Sequence, residues 1–240
     1  TQSGAVVVGR TAALSAAAAT DIVLTDADND FGTLIASAQN VVLNDINALV
    51  LGTATLTGDL NVTTNGAINQ FGSLSVYGAT TLNAGQDNNI CLASSGNHFL
   101  SVGVAAARNV VLRDADDLIL DASAISGILS VTTAGDITQS GALEVAEKTT
   151  LTAGAAGNIT LTESANNFSE ISIVSGNDVS LVNAEALILA SSKISGALDV
   201  LLDSSASGGL TQSGAVVVVG TTTLTAGTND IELLNSGNNF

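Results

Sequence analysis

The sequence predicts an all-β protein, a parallel β-helix (β-solenoid) built from repeats of about 69 residues, each folding into several coils. Three observations carry this prediction. The pentapeptide TQSGA stands at Thr1–Ala5, Thr138–Ala142 and Thr211–Ala215, with a divergent version, Asn69-Gln70-Phe71-Gly72-Ser73, between the first two. A shorter rhythm of 19 or 20 residues runs inside each interval: Ile22, Val41 and Leu60; Ile90, Val110 and Leu129; Ile159, Val179 and Leu198. Proline is absent from all 240 residues, while 24 glycines punctuate them. Self-similarity at a fixed period is the signature of stacked repeat architecture.

The long period divides the chain into units 1-68, 69-137 and 138-210 and a partial unit 211-240, forming one continuous repeat array. Equivalences extend well past the pentapeptide. Val41-Val42-Leu43 answers to Val110-Val111-Leu112 and Val179-Ser180-Leu181. Asp28-Asn29-Asp30-Phe31 answers to Gly96-Asn97-His98-Phe99, Ala165-Asn166-Asn167-Phe168 and Gly237-Asn238-Asn239-Phe240. The chain reads as a window of a longer array, with no polar or helical cap expected in residues 1–10 or 227–240.

Within a unit the apolar elements are short, of the form Ile-x-Leu or Leu-x-Val, separated by Gly, Asn, Asp and Ser. Alternation over three or four residues is a strand signal, and the polar punctuation is turn chemistry. Strands this short cannot support a hairpin or sandwich. Stacked coil upon coil at about 4.8 Å, each pairs in parallel with its counterpart on the next coil. Ile, Leu and Val then form inward columns, and Thr, Ser and Asn face water. Proline would remove a ladder hydrogen bond that both neighbouring coils need. Glycine and asparagine are expected to supply positive φ at the corners.

One segment argues locally for helix, Ala13-Leu14-Ser15-Ala16-Ala17-Ala18-Ala19. Its equivalents, Thr81-Leu82-Asn83-Ala84-Gly85 and Thr150-Leu151-Thr152-Ala153-Gly154, are poor helix formers, so the run is expected on a strand and turn. The TQSGA element is expected to be a corner, with Thr-Gln ending a strand and Ser-Gly turning the chain. Its Gln is placed to hydrogen-bond across coils or into the turn. The recurring Asn and Phe predict a capped turn with a buried aromatic plug.

Composition narrows function by exclusion. The chain is 46% apolar, so it can build a core, and its positive mean hydropathy argues against disorder despite few aromatics. Its net charge of −17, from 22 acidic and five basic residues, excludes nucleic acid, which requires clustered Lys and Arg. An anionic membrane surface is excluded likewise, and no apolar run reaches the ~20 residues of a spanning helix. The acidity is expected to serve solubility and to repel neighbouring particles laterally. The single cysteine, Cys91, stands where a sister strand has Thr160 and is expected to be a small strand residue.

No catalytic or cofactor-binding residue is predicted. Asp26, Asp28 and Asp30 open like a calcium loop, but Phe31 and Ser37 occupy the positions where such a loop needs Gly and Glu. They are expected at most to hold calcium loosely. Arg113-Asp114-Ala115-Asp116-Asp117 is the densest charge cluster and is expected to be a solvated turn. His98 is the only histidine and stands where the sister units have Asp30 and Asn167, so neither a His-based triad nor a multi-histidine metal site is expected. Asn61, Asn158 and Asn167 stand in glycosylation-acceptor tripeptides, which are frequent by chance in chains rich in Asn and Thr. Thr55-Leu56-Thr57 and Thr221-Thr222-Thr223 are too sparse for the aligned Thr-x-Thr face of an ice- or mineral-binding solenoid.

The units Ile137-Thr138-Gln139-Ser140-Gly141-Ala142-Leu143, Thr149-Thr150-Leu151-Thr152-Ala153-Gly154, Gly157-Asn158-Ile159-Thr160-Leu161 and Gly196-Ala197-Leu198-Asp199-Val200 resemble the repetitive shafts of filamentous-haemagglutinin-like bacterial exoproteins. These are adhesins exported by two-partner or autotransporter routes. The resemblance covers the whole chain. It implies a right-handed β-helix on the cell surface or outside the cell, acting in adhesion or biofilm matrix, with host-cell or matrix glycans as the partners such a role implies. The expectation is a non-enzymatic structural shaft whose partner is also itself, through axial stacking or continuation into a fibre. The alternative is a polysaccharide-binding or polysaccharide-cleaving β-helix protein, which needs one non-repeated cleft with clustered Lys or Arg and Asp.

Overall fold

The structure, a computed structural model, describes residues 2–17, 19–203 and 206–240. Strands are the only regular elements among them, and every strand pairing described below is parallel. The chain forms two compact units, Thr1–Ala115 and Asp116–Phe240. Each is a stack of β-solenoid coils, as the repeat pattern predicts.

In the first unit, short strands pair with their counterparts one coil away rather than with their neighbours in sequence. Ile22 pairs with Val41, Val41 with Leu60, Leu60 with Thr80, and Thr80 with Val102. A second column runs Leu49, Ile68, Ile90 and Val110. The inward residues of these strands are the core: Val41, Leu43, Leu49, Val62, Ile68 and Val110 are wholly buried. Each coil therefore places alternate residues inward and hands their backbone groups to the next coil, which is why the polar residues between them can stay outside.

The two columns reveal how the long repeat relates to the coil. Val41 and Val110 are equivalent in sequence, yet they lie in different columns. Three coils lead from Val41 to Val102, and Val110 follows eight residues later in the other column. One repeat thus advances about three and a half coils, so sister residues face different sides of the stack.

The second unit is built the same way. One column runs Leu118, Ile137, Ile159, Val179, Leu198 and Thr222; another runs Leu129, Thr149, Ile171, Leu189 and Gln212. Phe168 is a buried plug here, as Phe31 and Phe99 are in the first unit. Each contributes roughly 2–3 kcal/mol of apolar burial.

The alanine run behaves as the repeat context predicts. Ala13, Leu14 and Ser15 belong to the strand Val7–Ser15, paired with Asp30–Ala38, and Thr20 N–H donates to Ala17 C=O at 2.8 Å in the turn that follows. Thr1 of the first TQSGA copy and Ala18 lie outside the described residues. The corners depart from expectation. Among described residues only Gly85 and Gly227 have positive φ, and no asparagine does. Corner glycines are needed for clearance instead: a Cβ on Gly141 would stand 2.7 Å from the Ala122 nitrogen of the preceding coil.

Candidate functional site

The repeated polar residues converge on one device at the TQSGA corner. In the first unit Gln70 Nε2 donates to Gly72 C=O within its own turn at 2.7 Å and to Asn97 Oδ1 one coil on. Asn97 is fully buried. Its Nδ2 donates to Gln70 Oε1 (3.2 Å), Leu92 C=O (3.3 Å) and Arg113 C=O (3.0 Å), while Leu74 N–H donates to its Oδ1 at 3.0 Å. The same reciprocal amide pair joins Gln2 to Asn29, and in the second unit Gln139 to Asn166 and Gln212 to Asn238. Each Gln sits 27 or 26 residues before its Asn. The Phe that follows is anchored too: Phe31, Phe99 and Phe168 each donate a backbone N–H at 2.7 Å to Asp45, Asp114 and Asn183.

Many carboxylates serve the stack rather than only its solubility. In the first unit Asp21 Oδ1 accepts from Asn40 Nδ2 (2.8 Å), Asn40 Oδ1 from Asp59 N–H (2.7 Å), and Asp59 Oδ1 from Ala79 N–H (2.8 Å). In the second, Asp117, Asp136, Asn158 and Asp178 form an equivalent ladder, each side-chain oxygen accepting the backbone N–H one coil further on. The signal was present in the sequence as an Asn or Asp just before a column residue. Composition alone counts these residues only toward net charge and solubility.

The predicted site residues take separate places. Asp26 Oδ1 accepts from Asp28 N–H (3.0 Å) in its own turn, while Asp30 Oδ1 accepts from Asn47 Nδ2 (2.9 Å) on another coil. Among the described residues no three His, Cys, Asp or Glu side chains gather where a metal ion could sit. The Arg113–Asp117 stretch is not one solvated turn. Arg113, Asp116 and Asp117 are exposed, but Asp114 is 3% exposed, because it anchors the Phe99 N–H. Cys91 lies half-buried in the strand Ile90–Leu92, as expected. Glu185, fully exposed, has its carboxyl held below the ordinary range by the Ser207 hydroxyl (2.6 Å) and backbone N–H (3.1 Å). That stabilising contact is present above the ordinary carboxylate pKa and is lost as pH falls through the folded value.

A further surface feature escaped the sequence reading. On the first unit Ser15 pairs with Ser37, Ser37 with Thr55, Thr55 with Ser75, and Ser75 with His98. Ser15, Ser37, Thr55 and His98 are exposed and Ser75 is half-buried, giving a column of hydroxyls that ends in an imidazole. Tyr77, 66% exposed, borders it. The residues are 22, 18, 20 and 23 apart, so no fixed period picks them out. The register shifts of strands Asp30–Ala38 and His98–Ala107 bring them into line.

A family model described as repeats of unknown function (DUF5649) matches four consecutive stretches, residues 1–38, 38–106, 107–175 and 176–240. Its two internal stretches share the period read from TQSGA and differ only in where the repeat is taken to start. No curated protein and no solved structure matches the chain.

Proposed function

The chain belongs to the family of repeats of unknown function (DUF5649), and from that premise we propose that it is a non-enzymatic structural shaft of a filamentous-haemagglutinin-like exoprotein. In this reading it stands on the bacterial surface or outside the cell, in adhesion or biofilm matrix. The observation that carries the reading is the recurrence of the Gln–Asn pair at four corners, with its polar groups directed to backbone and to each other. Groups that recur in every repeat, and are satisfied internally, maintain a scaffold; a catalytic centre has no need of four copies. The parallel ladder also supports continuation: a coil passes its backbone groups to the next, so the natural partner of a coil is another coil of the same chain or of a second copy.

Electron microscopy of native material, with antibody labelling of intact cells, tests this. Thin surface filaments that carry the label are expected. Label confined to the cytoplasm, or release of reducing ends from polysaccharides by the purified chain, would refute it.

A further inference from the structure

We propose that the outer face of the first unit carrying Ser15, Ser37, Thr55, Ser75 and Tyr77 binds a neutral polysaccharide chain. The inference deepens the shaft reading and rests on it only in that the bound chain is held without being cleaved. Its basis is the chemistry of the face. Each hydroxyl both donates and accepts, so a column of them at about 4.8 Å matches a ligand that itself presents hydroxyls of either polarity. A shallow hollow of about 270 Å³ lies over the column's first three coils, bordered by Ala13, Ile35 and Thr53.

The ring of Tyr77 adds what hydroxyls lack, a flat apolar platform with a polar tip. It follows Val76, whose partner on the next coil is Phe99, so Leu100, 55% exposed, follows alongside. The fold does not require an aromatic there. Phe31, Phe99 and Phe168 are the buried plugs, and the residue equivalent to Tyr77 in the next repeat is Ala146. An exposed ring beside an exposed leucine is suited to the C–H face of a sugar, while the adjoining hydroxyls take its oxygens.

Charge decides which polysaccharide. The protein carries −17 overall, and anionic chains are repelled by its field. Apart from the His98 imidazole that ends it, the column has no carboxylate, ammonium or guanidinium group to pair with an ionic ligand. The equivalent column of the second unit runs Ala124, Glu144 and Asn167, with a carboxylate at its centre and no aromatic border. It is a natural control.

Affinity gel electrophoresis of the whole chain through hydroxyethylcellulose, dextran, mannan or polygalacturonate tests the proposal. At least one of the three neutral polymers is expected to retard it, and polygalacturonate to leave it unretarded. Tyr77→Ala lowers the affinity about tenfold, the equivalent of losing one aromatic contact. Tyr77→Phe keeps the affinity, and Ser75→Glu, which installs the sister residue, abolishes retardation. Unchanged circular dichroism melts confirm that these substitutions, at exposed Tyr77 and half-buried Ser75, leave the fold intact. No retardation by any neutral polymer, or retardation that survives both Tyr77→Ala and Ser75→Glu, overturns the proposal. So does concentration-dependent self-association that Ser75→Glu removes, since the face then belongs to a second copy. Reducing ends released from a retarding polymer would overturn the non-enzymatic reading and leave the binding face standing.

Discussion

Gln70 and Asn97 lie 27 residues apart and close a reciprocal amide pair between successive coils, the Asn97 Nδ2 donating to Gln70 Oε1 at 3.2 Å while the Gln70 amide donates back. The pair also receives the Leu74 N–H and caps two carbonyls, so it fastens the corner to both the coil below and the coil above. Asn97→Ala removes the partner of the Leu74 N–H and of the Leu92 and Arg113 carbonyls at a buried position. The expected loss is about 3 kcal/mol, read as a lower denaturant midpoint. Asn97→Asp keeps the accepting oxygen but turns a carboxylate toward the carbonyls of Leu92 and Arg113. That variant is expected to be most stable at low pH, where the protonated acid can donate, and to lose stability as pH rises. Denaturant midpoints within about 0.5 kcal/mol of wild type would show the pair to be dispensable.

The charge cluster after Leu112 separates into a buried anchor and exposed neighbours. Asp114 accepts the Phe99 N–H, and Asn183 does the same for Phe168 in the sister repeat. Asp114→Asn is therefore expected to be tolerated, whereas Asp114→Ala strands a buried N–H and costs about 1–3 kcal/mol. Asp116→Asn, on the surface, is expected within about 0.5 kcal/mol. Urea melts rank the three; Asp116→Asn as the most damaging would mean that Asp116 has a role the fold does not explain.

These two cases show how much was legible in the sequence. The columns through Val41 and Val110 were, because a core position repeats its residue type whatever the coil does locally. The Asn–Phe plug at Phe31, Phe99 and Phe168 and the TQSGA corner were, because the Gln, the Asn and the Phe recur at fixed places in the repeat, although the fourth copy, Phe240, is 54% exposed. Asp114 was not, since a carboxylate beside Arg113 reads as surface charge until its coil places it under Phe99. Nor was the part played by Asp21, Asn40 and Asp59, which differ in charge but share one accepting oxygen. The column from Ser15 to His98 depends on register shifts, which move residues without leaving a periodic trace. Corner glycines were recognised, but the reason lies in the preceding coil, as Ala122 shows for Gly141.

Three equivalent threonines carry a stability defect. The hydroxyls of Thr80, Thr149 and Thr222 are buried and meet no hydrogen-bond partner among the described residues. Thr149 lies in a column between Leu129 and Ile171, where its neighbours are aliphatic. Thr149→Val removes the orphan oxygen at constant shape and is expected to stabilise the protein by about 1 kcal/mol. A lower melting temperature for Thr149→Val would indicate that the hydroxyl is satisfied by a buried water.

The mismatch between repeat and coil makes a deletion experiment decisive. Removing residues 69–137 joins Ile68 to Thr138, which reproduces the natural Ile137-Thr138-Gln139 sequence, and Gln139 still finds Asn166 at its usual distance. Although about three and a half coils are lost, the chain re-enters the stack at an equivalent corner, because each repeat contacts its predecessor through the same residues. Removing residues 69–103 instead joins Ile68 to the buried Val104 and deletes both Gln70 and Asn97. The first deletion is expected to melt cooperatively within about 5 °C of the full chain, since in a repeat array stability is set mostly by nearest-neighbour interfaces. The second, though it removes fewer residues, is expected to lose cooperative melting, because its columns resume out of phase and core residues are turned toward water. Circular dichroism melts of the two deletions compare them directly. Equal destabilisation would mean that the coil alone, and not the 69-residue repeat, is the unit from which this protein is assembled.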